Sequence, residues 1–417
     1  MIENFKIEIN EIDKINFINK EDKNFRIENL NAFNSMGFPS KKEEDWKFSD
    51  TQAIFSKNFK KLNLVNLNSK ETDIKLIKDF DHNYMFLVNG KLVNSEFKFE
   101  DKSKIRISNY HEEKFSEKIS KNPFICLNHA LSNNGYYLEI KEGYKFEKVL
   151  VIYNLFTKDL SSQILNNKNK IVVGKNSELH TINYTINRSK NKFINNSYES
   201  TILSENSKYK NICIQASKSD GYFHKFSNNK LSSDSNFSSF IFSSGLKFYK
   251  QDINIDLEGE NSECDIKAAL FLDNEEHQEI KTKINHLVPN CKSYQKIKNV
   301  LDSEGKGIYQ GKIYVKDIAQ KTNAYQLSKA LLLNDNSEFN SKPELEIYAD
   351  DVKCSHGSTS GSIDENSIHY LMTRGLSKKE ATQLLINGFL NEIISEIKSS
   401  TIRKFVENKI ELQIHGY

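Results

Sequence analysis

The chain is short of the residues that staple or break a fold. Its five cysteines, Cys126, Cys213, Cys264, Cys291 and Cys354, stand far apart with no CxxC pair, which argues against a disulfide framework or a zinc finger. Four of them read as small core residues. Only four prolines occur, none between Phe124 and Val288, so nothing in that stretch forbids long arrays of strands. No run is apolar enough to span a bilayer, and the N-terminal MIENFKIEINEIDKINF is broken by charges every few residues. A cytosolic (cytoplasmic) protein with no membrane partner is therefore expected. An excess of one charge is missing too: 28% charged residues leave a formal +3, which gives no footing for nucleic acid. G-x(4)-GK-[ST], HExxH and a strand-borne G-x-G-x-x-G are all absent, which removes the common phosphate-binding and zinc-hydrolase motifs.

What is present is a sequence of 417 residues with 37% hydrophobic content, enough for a large core and for two or three domains unless a repeat extends one. Apolar positions Ile9, Ile12, Ile15 and Phe17, then Phe25, Ile27, Leu30 and Phe33, recur at mostly helical steps. Gly37-Phe38-Pro39-Ser40 ends that region, and the single Trp46 in KKEEDWKFSD reads as an aromatic anchor onto the main body. MFLVNGKLV, residues 85–93, is a hairpin signal built on Asn89-Gly90. Residues 119–133 read as a helical interruption, and 136–140 and 149–156 as strands.

Beyond Lys170 similar corners recur in VVGKNSELH, ILSENSKYK, LSSDSNFSS and LEGENSECD. Their serines, Ser177, Ser207, Ser235 and Ser262, are spaced by 27 to 30 residues. Ser337 is read as a later member, with Gly305-Lys306-Gly307 filling the gap. Polar corners at such a period, with β-branched and aromatic runs between them, point to the stacked turns of a solenoid with at least two strands per coil. An antiparallel sandwich is the competing topology.

The stretch ELEIYADDVKCSHGSTSGSID, residues 344–364, turns from strand to helix and gathers Asp350, Asp351, Cys354, Ser355 and His356. If the strand runs on, Cys354 and His356 share a face, where thiolate and imidazole can hold a soft or borderline metal, or the base can activate the thiol. One Cys and one His fall short of a four-ligand site, and a half-buried Cys beside a surface His is the plain alternative. Asp364 can cap a helix bearing Ile368, Leu371 and Met372. Ser377 to Glu380 forms a capping box ahead of an apolar stripe, Ala381, Leu384, Leu385, Phe389, Ile393 and Ile397, read as core-facing. The chain is divided accordingly into a mostly helical region 1–83, a β core 84–363 and a helical region 364–417.

The run PELEIYADDVKCSHGSTSGSID, followed by HYLMTRG and by residues 381–389, resembles the C-terminal signature of the SufB/SufD family of iron-sulfur cluster assembly scaffolds. Pro39, Glu44, Trp46, Lys47, Phe48 and Ser49 resemble the P-x(4)-E-x-W-K-Y-T segment of the SufD branch. The extra cysteines and longer N-terminal region of the SufB branch are missing. The resemblance implies a right-handed parallel β-helix flanked by helical ends, and a scaffold rather than an enzyme. It implies pairing with a SufB-like homologue and docking of a SufC-like ATPase at the C-terminal helices, here Leu371, Leu384, Leu385 and Phe389. It implies sulfur delivered to SufB by SufS with SufE or SufU, and a transient iron-sulfur cluster shared with SufB. Cys354 and His356 take the interface positions, with His356 the stronger contributor, and Asp350 and Asp351 are supporting carboxylates. A reduced flavin is expected, if anywhere, on the whole complex, nothing tightly bound on this chain alone, and a homodimer of the isolated chain stays open. A plain β-solenoid binding module and a SufB-type scaffold are the alternative readings.

Overall fold

The computed structural model of the chain describes residues 5–15, 19–64, 69, 71, 73–110 and 119–415; Phe17 lies outside them. Helix α1 (Lys20–Met36) starts at Asn19, whose side chain accepts the Asp22 N–H, and stops at Gly37, where φ is +70°. After a short 3-10 turn, Glu44–Trp46, comes α2 (Thr51–Asn58), capped by Asp50. The hairpin β1 (Asn83–Val88) and β2 (Lys91–Glu96) turns at Asn89 and Gly90, both left-handed, the geometry that matches strand twist. A Cβ at Gly90 would overlap the Asn167 amide. β3 (Ile105–Asn109), α3 (Pro123–Leu131) and β4 (Tyr136–Ile140) follow.

From there the chain coils as β5 (Leu150–Phe156), β6 (Ile164–Val173), β7 (Glu178–Asn187), β8 (Phe193–Leu203), β9 (Lys208–Leu231), β10 (Asn236–Leu257), β11 (Glu263–Leu272), β12 (His277–His286), β13 (Lys292–Leu301), β14 (Lys306–Val315), β15 (Thr322–Leu332), β16 (Glu338–Ile347) and β17 (Val352–Ser362). All pairings among these are parallel. One stack runs β1, β5, β7, the first half of β9, the first half of β10, β11, β13, β15, β17. The other runs β4, β6, β8, the second halves of β9 and β10, β12, β14, β16. The molecule is thus a two-sheeted parallel β-helix with helices at its ends, not a sandwich.

The corner that feeds the first stack explains the repeat. Asn176, Asn206, Asp234, Asn261, Asn290 and Lys321 each take a left-handed backbone there, which Asn and Asp tolerate best. The next residue is buried and bonds within the corner or to its neighbour: Ser207 and Ser235 Oγ donate to carbonyls three residues back at 2.6 Å. In the later coils Cys291 and Thr322 fill that place, with Cys291 Sγ 3.3 Å from Ser262 Oγ and Thr322 Oγ1 bonding Ala319 O. The expectation that Ser337 and Gly305 continue the series is corrected: both lie between a first-stack strand and the next second-stack strand, at the opposite edge.

Three apolar layers result. Inward side chains such as Leu150, Ile171, Leu203, Ile266, Ile284 and Leu301 fill the coil interior. Outward residues of the first stack, including Val151, Ile214, Phe242 and Phe271, meet the C-terminal helices α5 (Lys378–Ile394) and α6 (Ser400–His415), mainly through Ile386, Leu390, Phe405 and Ile410, and α4 (Glu365–Thr373) lies against α5. Outward residues of the second stack, Ile194, Tyr222 and Phe248, meet α1, α2 and α3. Among the described residues no helix is long and apolar enough to cross a membrane.

The two ends differ. At the N-terminal end antiparallel β2 flanks β1 and antiparallel β3 flanks β4. At the C-terminal end β16 pairs with β14 and β17 with β15, and among the described residues no strand pairs on their outer sides.

Candidate functional site

The strand expected to carry the chemistry is β17, the last rung of the first stack. Its register sets Thr322, Ala324, Gln326 and Ser328 of β15 against Val352, Cys354, His356 and Ser358. The four β15 residues are buried, so Cys354 and His356 do share a face, and it is the inward face of the final coil. Because no coil follows, that face opens to the outside: Cys354 is half-buried and His356 exposed.

Cys354 packs beside Ala324, Ile313, Val315 and Ala349, and burial pushes its thiol up, which keeps the thiolate scarce at neutral pH. His356 is exposed, and an imidazole nitrogen is a common metal ligand. Ser358 Oγ lies 2.9 Å from Ser328 Oγ, itself 2.9 Å from Ser341 Oγ in β16, which ties the two terminal strands together. Asp350 and Asp351 stand in the exposed corner before β17. Their backbone closes it: Lys321 N–H donates to Asp351 O, and the Asp351 N–H donates to Gln320 Oε1. Among the described residues no three His, Cys, Asp or Glu side chains converge as a metal site.

The C-terminal helices need one correction. Asp364 caps α4 and the Ser377–Glu380 capping box starts α5 as read, but Leu384 is 51% exposed rather than core-facing. Ile386, Leu390, Ile393 and Ile394 are buried against the sheet, and Ala381 and Gln383 are buried as well. Leu371, Leu385 and Phe389 are half-buried, and the Phe389 ring lies 4.3 Å from Lys298 Nζ, which also reaches Glu392 at 2.5 Å. Tyr370 and Met372, not singled out from the sequence as exposed groups, stand open on α4.

Two further polar places escaped the sequence. Trp46 anchors as expected, stacking on Phe124 at 5.1 Å, but it also roofs a buried charge network. Lys250 Nζ lies 4.7 Å from the Trp46 ring and 3.4 Å from Asp252 Oδ1, and bonds Glu279. Ser49 Oγ bonds Glu279 and lies 2.8 Å from His277 Nε2. Burial would raise the Asp252 carboxyl, yet the Lys250 ammonium beside it holds it well below the usual range. Burial takes His277 down to about 4. Glu44 reaches Lys342 of β16, and Asp45 lies 2.5 Å from Lys281, so the segment 44–49 is strapped over the second stack as far as the terminal coil. Inside the coils, Asn167, Glu199, Cys213, Gln215 and Lys225 line a cavity of about 100 Å³, with Glu199 and Lys225 paired at 3.2 Å.

Comparison with known proteins finds two matching family regions. Residues 156–389 match the SufBD core domain of the SUF system for FeS cluster assembly, and residues 15–152 match the SufBD N-terminal region. The chain is 24% identical over 386 residues to the iron-sulfur cluster assembly protein SufD of Escherichia coli, covering 91% of this chain and 90% of that one. It is 24% identical over 397 residues to the chloroplastic protein ABCI7 of Arabidopsis thaliana, covering 90% and 83%. To SufD of Bacillus subtilis it is 29% identical over 158 residues, 38% of this chain and 36% of that protein.

Proposed function

The chain belongs to the SufBD family of iron-sulfur cluster assembly proteins, and on that premise we propose that it acts as the SufD-type, non-enzymatic subunit of a SUF scaffold. Its open end pairs with a SufB-like homologue, and its C-terminal helices hold a SufC-like ATPase. The observation that carries this reading is the asymmetry of the solenoid: the first coil is closed by antiparallel strands, whereas among the described residues β16 and β17 have no outer neighbours. An unpaired edge is a template for another chain's strand, and here it carries the cluster-facing side chains with it.

A nascent cluster needs donors that bind iron and then release it. An incomplete set shared between subunits meets both demands. His356 supplies an imidazole, while Cys354, held as the thiol, is the weaker donor and leaves the principal thiolate to the partner. Sulfur reaches the site through SufB, from SufS with SufE or SufU. A reduced flavin belongs, in this reading, to the assembled complex rather than to this chain alone. Without the homologue, a second copy of the chain can occupy the same end. The ATPase, working through α4 and α5, would open and close the interface.

The test is iron and acid-labile sulfide per intact complex after anaerobic expression. His356→Ala lowers both several-fold with the subunits still co-purifying, and Cys354→Ser lowers them less. Wild-type iron and sulfide in the His356→Ala complex would remove His356 from the mechanism.

A further inference from the structure

Gln295, Gln326 and His356 occupy one inward column, in register through three successive coils. Gln326 is 2% exposed. Its Nε2 faces the Glu344 carbonyl oxygen of β16 at 3.5 Å. A carbonyl oxygen can only accept, so this contact settles which end of the amide is which and leaves Oε1 as the free acceptor. That oxygen is buried and has no hydrogen-bond partner, an omission that costs about 1–3 kcal/mol.

Room is kept for the amide from the facing strand. A Cβ on Gly311 would stand 2.7 Å from Gln326 Oε1 and 2.3 Å from the Tyr309 hydroxyl oxygen, so a side chain there would drive the group out. On the inner side, Gln295 spends its Oε1 on the hydroxyls of Thr282 at 2.5 Å and Tyr309 at 3.1 Å, while its Nε2 makes no bond. On the outer side the next group in the column is the His356 imidazole, which in its neutral form always has one N–H to give.

We propose that Gln326 is a positioning residue for His356: Oε1, unpartnered in this structure, accepts the N–H once the exposed imidazole turns onto it, which fixes one tautomer and leaves the other ring nitrogen outward toward the cluster under assembly. The inference rests on the cluster-assembly reading. Outer partners of this kind orient a ligating histidine and raise its basicity, and removing them typically weakens metal retention 10- to 100-fold. A glutamine ladder, with Gln295 Nε2 donating to Gln326 Oε1, is the competing arrangement and makes His356 indifferent to residue 326.

The experiment follows the two imidazole nitrogens of His356 by 15N NMR of the full chain at a fixed pH of about 8, in wild type, Gln326→Leu and Gln326→Glu. One dominant tautomer is expected in wild type, the mixture of a free imidazole in Gln326→Leu, and recovery in Gln326→Glu, which restores an acceptor. In the assembled complex Gln326→Leu lowers bound iron by no more than the several-fold loss of His356→Ala and Gln326→Glu regains most of it, with subunit pairing close to wild type. The same tautomer mixture in wild type and Gln326→Leu overturns the assignment, even if His356→Ala still lowers iron and sulfide. A tautomer shift alongside wild-type iron and sulfide in His356→Ala would instead leave the pairing standing and remove His356 from cluster assembly.

Discussion

His286 closes the inward face of β12 with Nε2 2.9 Å from Ser293 Oγ and no protein partner for Nδ1. Burial takes its pKa from 6.5 down to about 3. The unfolded ring takes up a proton as pH falls through about 6.5, the folded ring only near 3, so its contribution is intact above 6.5 and drains away as pH drops toward 3. The loss amounts to about 2 kcal/mol by pH 5. Denaturant titrations of wild type and His286→Gln should show the stability difference shifting by that amount, in favour of the variant, between pH 7.5 and 5; parallel curves would remove His286 from the acid response. Single residues also mark where sequence reading stops. Trp46 was legible as an anchor because it is the only tryptophan beside a turn. The charges under it were not, because Lys250 contacts a partner 205 positions away and Lys342 one 298 positions away. No local pattern encodes such pairs. Gln326 looks like any strand glutamine until the register places it under His356.

α5 presents two apolar faces, and its own sequence does not rank them. Leu384, Leu385 and Phe389 fit a helical stripe as well as Ile386, Leu390 and Ile393 do, and only the sheet decides which is covered. If the uncovered side of α4 and α5 receives the ATPase, Leu384→Asp should abolish co-purification while changing stability by less than about 0.5 kcal/mol, as exposed substitutions do. Leu390→Asp, which puts a carboxylate into the sheet contact, should cost several kcal/mol. Equal loss of stability in both variants, or retained ATPase in Leu384→Asp, would reject this division of faces. The corners were legible for a related reason: a left-handed residue followed by a small hydroxyl is a local demand repeated coil after coil. The series was carried to Ser337 in error because the demand at Cys291 and Thr322 is for a small donor, not for serine as such, and the opposite edge also uses Ser and Gly.

One apolar interior runs without a break from Met85 and Leu87 to Tyr309 and Ala330, so neighbouring coils share their stability and no internal boundary separates them. Limited proteolysis should therefore trim the termini before it enters the coils. An early cut near Asn206 or Ser235 yielding two halves that each refold would show separate units instead. A solenoid was readable from the period and the resemblance implied the parallel β-helix, whereas the open end was not read, although the polar Ser- and Gly-rich β17, largely exposed, is the mark it leaves in the sequence. The strap has a last consequence, for the order in which a newly made chain can finish. Residues 44–49 leave the ribosome early, yet their grips are Lys250, Glu279, Lys281 and Lys342. At about 5–20 residues per second, the N-terminal segment waits on the order of 15–60 s for the last of these to be synthesised. Its docking thus reports that the terminal coil exists, and a chain truncated before β16 would carry a segment with one grip missing.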